Sequence, residues 1–159
     1  MKIKKKQLSF EEAVKATPEI KDCFKISLKA LERDHTSKIK FADKNKLCGS
    51  VFLDQCLTDQ NLSPGNRWDY IICYDQELYF VEVHGAYPKE VDVVIRKKEW
   101  LKLWLREKAP EISKLQVKNK SAFHWIQSDR FDFQTPKTNP WLKRAAENGI
   151  KPKKSLELK

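Results

Sequence analysis

The chain has 159 residues, 40% of them hydrophobic and 34% charged, and 32 Lys and Arg against 22 Asp and Glu give a net charge of +10. That is the composition of an ordinary globular protein, long enough to bury roughly two-thirds of the surface its unfolded chain exposes. No apolar run approaches a membrane span and the M-K-I-K-K-K start has no signal-peptide core, so a cytoplasmic protein with a polyanionic partner and no membrane is expected.

A single domain over residues 1–159 is expected, with a core of about 9–149 and basic tails at 1–6 and 151–159. Ser9-Phe10-Glu11-Glu12 is a capping box and predicts a short helix. Thr17-Pro18 restarts it, and Ile20, Phe24, Leu28 and Leu31 at helical spacing predict one amphipathic face to about Arg33, with Lys21, Lys25 and Lys29 outward. Ile39 with Phe41, or the apolar stretch Leu47 to Leu57, supplies a first strand; the pattern does not choose between them. Cys23, Cys48, Cys56 and Cys73 form no C-x-x-C pair and lie in apolar surroundings, so they read as reduced and mostly buried. Residues 61–66 are a turn cluster.

Arg67 to Ala86 is the most informative stretch. Two runs of β-branched and aromatic residues flank Asp75-Gln76, which predicts two strands and a tight turn. Pairing Tyr74 with Glu77 places Asp69 opposite Glu82, and opposed residues project from one face of a sheet. The period of two adds Ile71, Cys73, Leu78, Phe80 and His84 to that face. Like charges directly across a ladder repel, and a divalent cation is the usual compensation. From Gly49 to His84 there are six acids and only one base, Arg67, whereas the flanks are Lys-rich. An acidic spot in a basic surface suits a metal beneath a phosphate backbone.

A helix is expected from Pro88 or Lys89 to about Lys108, with Val91, Val94, Ile95, Leu101, Trp104 and Leu105 as its buried stripe, widened by Trp100 and Leu103. Its outer face carries Arg96, Lys97, Lys98, Lys102 and Arg106. With Lys89, the first four of these are the candidate nucleic-acid contacts. Ser121 to Gln127 reads as a further strand, extended or underpacked by Phe131 and Phe133, and Trp141 to Asn148 as a short helix ended by Gly149. Helices alternating with a small mixed sheet make an α/β sandwich.

Two carboxylates at the end of a strand pair, with a polar group two residues on, suit metal-assisted phosphodiester hydrolysis. Asp69 and Glu82 are the expected ligands of Mg²⁺ or Mn²⁺, joined by the backbone carbonyl of Val83. An acid at the start of one strand, then E-x-H on its hairpin partner, then a long helix and a strand, resembles the PD-(D/E)XK nuclease superfamily, whose third signature residue is a lysine. The resemblance spans roughly Glu12 to Ile126, and Asp69 and Glu82, thirteen residues apart, stand where that superfamily places its metal-binding acids. It implies a restriction-endonuclease-like fold, catalysis by Asp69, Glu82 and His84, and an assisting glutamate, Glu12 or Glu19, from the first helix. His84 replaces the lysine that orients water and stabilises negative charge. A largely neutral imidazole suits a base or water-positioning group, with Lys89 as a substitute cation. Trp68 or Trp125 at the sheet end is a candidate for base stacking. The alternatives are an inactive relative that binds nucleic acid through its lysines, and a protein-interaction module, a homodimer joined through the tryptophans of the long helix.

Overall fold

Four strands form the main sheet of the computed structural model, which describes residues 5–60 and 66–159. In chain order the elements are α1 (Phe10–Lys15), α2 (Arg33–Thr36), β1 (Ile39–Phe41), β2 (Leu47–Phe52), α3 (Leu53–Asp59), β3 (Tyr70–Tyr74), β4 (Glu77–Ala86), α4 (Val91–Glu107), α5 (Pro110–Ser113), β5 (Phe123–Phe131), α6 (Asn139–Glu147) and β6 (Leu156–Leu158). The sheet runs β2-β3-β4-β5, antiparallel through its first three strands and parallel between β4 and β5. It is a mixed α/β architecture, as the alternation of helical and strand patterns predicts. The turn cluster expected at 61–66 falls, but for Asn66, outside the described residues.

The hairpin has the predicted register, from Tyr74 opposite Glu77 to Tyr70 opposite Val81. Asp75 and Gln76 both adopt positive φ, 51° and 64°, the two-residue turn whose twist matches the strands it joins. Asp tolerates that conformation better than Gln does. Gln76→Gly is therefore expected to stabilise the fold by about 0.5–1 kcal/mol in urea unfolding; a lowered midpoint would contradict this.

The face bearing Ile71, Cys73, Leu78, Phe80 and Glu82 is covered by α1 and α4. The capping box forms as read: the Ser9 hydroxyl accepts from the Glu12 amide at 3.2 Å, and a Glu12 carboxylate oxygen from the Ser9 amide at 3.4 Å. The predicted stripe of α4 is buried. Leu103, expected to widen it, is instead 45% exposed. Trp104 is buried within its own chain, and the half-buried Trp100 stacks on it at 6.0 Å. On the opposite face, the Tyr70 hydroxyl accepts from the Glu32 amide at 3.2 Å and lies 2.7 Å from His35 Nδ1, and the Tyr74 hydroxyl accepts from the Asp43 amide at 3.2 Å.

Three expectations are corrected, and one left open is settled. The helix expected to continue to Arg33 stops after a 3-10 turn at Pro18–Ile20. Ile20, Leu28 and Leu31 are buried as the spacing required, but Lys25 and Ser50 exchange backbone hydrogen bonds of 2.9 and 2.8 Å. The segment is thus bridged to β2 at one point and runs on in separate turns, closed by Lys29 to Ile26 and Leu31 to Leu28, instead of one helix. Phe24 seats on Gly49, where an added Cβ would lie 2.4 Å from its ring.

Both candidate first strands form, but only β2 joins the main sheet. β1 pairs in parallel with β6 to make a second, two-stranded sheet. The frayed basic tail expected at 151–159 is therefore structured, because Leu156 and Leu158 alternate with Glu157 and bury at 2% exposure each.

Finally, the cysteines are not reduced. Cys23–Cys56 and Cys48–Cys73 are disulfides, with Cα separations of 6.2 and 5.1 Å, inside the usual range. The expectation rested on sequence spacing, whereas Cys48 meets Cys73 because β2 lies beside β3, with Gly49 opposite Cys73, and Cys23 meets Cys56 of α3 from the segment that bridges to Ser50 of β2. No helix among the described residues is long and apolar enough to cross a membrane.

Candidate functional site

Asp69 sits where the chain enters β3, one residue before the ladder begins. Its carbonyl accepts from the Leu53 amide at 2.7 Å, so the start of α3 holds its backbone. Beyond the Tyr70–Val81 pair the two carboxylates continue the ladder themselves. The Asp69 amide donates to Glu82 Oε2 at 3.0 Å, and the Val83 amide donates to Asp69 Oδ2 at 3.0 Å. Each acid is thus tied to the strand of the other, and the pair stands abreast at the open end of the hairpin. Glu82 is fully buried.

The cation against this pair comes from α4. Lys97 Nζ donates to Glu82 Oε1. His84 Nδ1 lies 3.5 Å from the same oxygen and His84 Nε2 lies 2.7 Å from Glu90 Oε2. Arg67 Nε donates to Asp54 Oδ1 at 2.9 Å at the margin of the site.

Burial, and then the neighbouring Glu82 charge, push the Asp69 carboxyl up to about 8, against the pull of Lys97 and the Val83 amide. Both causes favour the protonated form of the Asp69 carboxyl. Hydrogen bonding to Glu82 raises His84 above the ordinary imidazole range, although burial opposes it, and Glu90 adds to the rise. Burial works to lower Lys97, but the charge and hydrogen bond of Glu82 outweigh it and the ammonium is held above its usual value.

These surroundings correct several site expectations. His84, expected as a largely neutral base, lies between two carboxylates that favour the imidazolium. Lys97, expected on the outer face, is turned inward at 17% side-chain exposure. Lys98 also leaves the outer face: it donates to the Asn148 carbonyl at 2.6 Å and lies 5.0 Å over the Phe123 ring. Lys89, Arg96 and Lys102 are exposed as expected. Glu12 is spent on the capping box and Glu19 accepts from the Trp104 indole at 2.7 Å. Neither reaches the acid pair. Trp68 and Trp125 are both fully buried and present no face to a base. The Trp125 indole donates to the His84 carbonyl at 3.1 Å, and the Trp68 Nε1–H is buried without a hydrogen-bond partner among the described residues.

Glu90 is a participant that nothing in the sequence singled out, and Lys97 was given a different part, a contact on the outer face. The signal for Lys97 was present, since it lies three residues after Val94 and four before Leu101, within the buried stripe. Lys97→Met is expected to destabilise the protein by roughly 3–5 kcal/mol, because it strands a buried carboxylate. Urea unfolding checks this, and a change under ~1 kcal/mol would mean the pair is solvated.

Among the described residues no group of three or more His, Cys, Asp and Glu side chains is arranged to hold a metal. Mg²⁺ and Mn²⁺ are commonly held by one or two acids with water and substrate oxygens completing the shell, and Asp69 and Glu82 would meet that number by exchanging bonds to Lys97 and to the Asp69 and Val83 amides for the ion. A desolvated carboxyl that must take up a proton is also the group that a cation would relieve. Comparison with protein-family models, with curated proteins and with solved structures finds no match.

Proposed function

We propose that the protein is a metal-dependent phosphodiester hydrolase of the nuclease kind, restriction-endonuclease-like in architecture and acting on nucleic acid. The observation that carries this is the pairing of Asp69 and Glu82 abreast at the mouth of the hairpin, with the Lys97 ammonium on Glu82. The order hairpin, long helix, strand supports it, being the order the resemblance implies.

Asp69, Glu82 and the Val83 carbonyl would hold the Mg²⁺ or Mn²⁺ ion, which supplies Lewis acidity and a water of lowered pKa. Lys97 takes over the electrostatic part that the resemblance gives to a lysine at the position of His84. It reaches the acids from the helix rather than from the strand. His84, fixed by Glu82 and Glu90, orients the water or gives up a proton. A positioned group of this kind contributes typically ~10²–10⁴-fold.

The test is incubation with single- and double-stranded DNA and RNA in Mn²⁺, comparing wild type with Glu82→Gln at matched folding. Cleavage that falls to background in the variant is expected; undiminished turnover would sink the proposal.

One observation favours a second reading. Lys97 already neutralises Glu82 and the Val83 amide already satisfies Asp69, as in a closed polar cluster. An inactive nucleic-acid-binding module would then bind in a strongly salt-dependent way, and Asp69→Asn would leave that binding unchanged.

A further inference from the structure

Beyond the acid pair, the carboxyl ends of β4 and β5 open into a cleft of about 590 Å³ lined by Tyr87, Pro88, Lys89, Arg130, Phe131 and Asp132. In open α/β sheets, ligands sit outside the carboxyl ends of the strands, and the volume is within the range of small-ligand sites.

The cleft is built in advance. The Tyr87 ring lies over Gly85, where an added Cβ would come within 2.5 Å of Tyr87 Cε1. Only a residue without a side chain lets the ring settle there, one position after His84. Lys89 Nζ is 5.3 Å from the centroid of that ring. Ala86 pairs with Phe131, and the Asp132 amide donates to the Ala86 carbonyl at 2.8 Å, so the two walls are pinned together. Phe131 stays 37% exposed.

Two aromatic side chains with two cations, Lys89 and Arg130, and a single acid, Asp132, suit a stacked base and its phosphates. A paired base offers its face only to its neighbours in the stack, so such a platform selects unpaired nucleotides. Tyr87 is three residues beyond His84, roughly 10 Å at the rise of a strand, which is a span of only a few nucleotides. We propose that this cleft takes the unpaired bases of a single-stranded nucleic acid. The strand then runs on to place a phosphate at Asp69 and Glu82, a step that rests on the hydrolase reading.

The test is fluorescence polarisation of a labelled oligothymidine and of a hairpin duplex, in Ca²⁺ without Mg²⁺ or Mn²⁺, with an acidic peptide as a third ligand. The single strand is expected to bind tightest. Tyr87→Leu and Phe131→Leu are each expected to weaken it by about tenfold or more, with less than about twofold effect on the duplex. Gly85→Ala should reproduce the Tyr87 loss by displacing the ring. Arg130→Gln, at an exposed position, serves if the aromatic variants fail to fold, and is expected to reduce the affinity for the single strand and its dependence on salt.

Equal affinity for duplex, tighter binding of the acidic peptide, no binding of the oligonucleotide, or indifference to the aromatic substitutions would overturn the inference. Cleavage assays in Mn²⁺ with wild type and Glu82→Gln, run in parallel, report on the hydrolase reading separately. Glu82-dependent cleavage with no aromatic dependence sinks only the cleft; aromatic-dependent binding with no cleavage sinks only the hydrolase.

Discussion

Asp69→Asn is expected to make the metal-free protein more stable at pH 8 and, on the proposed hydrolase reading, to abolish Mn²⁺ binding. Burial and the Glu82 charge raise the Asp69 carboxyl from 3.8 to about 8. Between those values the folded state keeps a proton that the unfolded chain has released. Stability then falls as pH rises, by up to ~1.4 kcal/mol per unit, and the loss is complete above the folded value. Asparagine accepts from the Val83 amide without that penalty. The difference in unfolding free energy between variant and wild type should therefore grow from about pH 4 to about pH 8 and then level off. A variant no more stable than wild type at pH 8 would show that Asp69 ionises freely in the fold. In calorimetry of the wild type, Mn²⁺ uptake should release close to one proton and tighten with pH across the same window.

Reduction of the two disulfides is the second large effect. The bonds span 33 and 25 residues of chain, and the loop-entropy argument gives each about 3–4 kcal/mol. Together they approach the whole stability of an ordinary domain, about 5–15 kcal/mol. The reduced protein should unfold at a much lower urea midpoint, or already near physiological temperature. Cys23→Ser with Cys56→Ser should also disturb the site. Cys56 is in α3, whose first amide holds the Asp69 carbonyl. The Cys48–Cys73 bridge lies at the far end of β3, nearer the turn, and its loss should cost stability alone. An unchanged midpoint in reductant would refute both statements.

The hairpin was legible because its evidence is local: two strand-like runs, a two-residue gap and a period of two fix every partner from Asp69 to Glu82. The buried stripe of α4 was legible for the same reason, as a helix repeats within a few residues. Lys97 and Lys98 were misassigned although that same repeat places them between Val94 and Leu101. Their charge argued for solvent, whereas Lys97 finds the buried Glu82 and Lys98 the Asn148 carbonyl and the Phe123 ring, partners distant in sequence that only the fold brings near. Residues 18–33 have helical spacing and buried apolar positions, yet pairing with Ser50 and a bond to Cys56 decide their path, and both partners are distant in sequence. β6 was unreadable on its own, since three residues, L-E-L, mean little without β1 beside them. The Cys48–Cys73 bond depends on the register of β2, which the pattern left open, and the Cys23–Cys56 bond on where α3 falls.

The carboxylates that extend the β3–β4 ladder leave a reporter in the backbone. The Asp69 and Val83 amides are sealed by side chains rather than by the facing strand, so any occupant that draws those oxygens toward itself must slacken both seals together. In an NMR spectrum these two peptide protons would shift and exchange faster as the site fills, while those of Tyr70 and Val81, one step inside the sheet, stay quiet. Occupancy could thus be followed from the protein alone, with no turnover and no substrate.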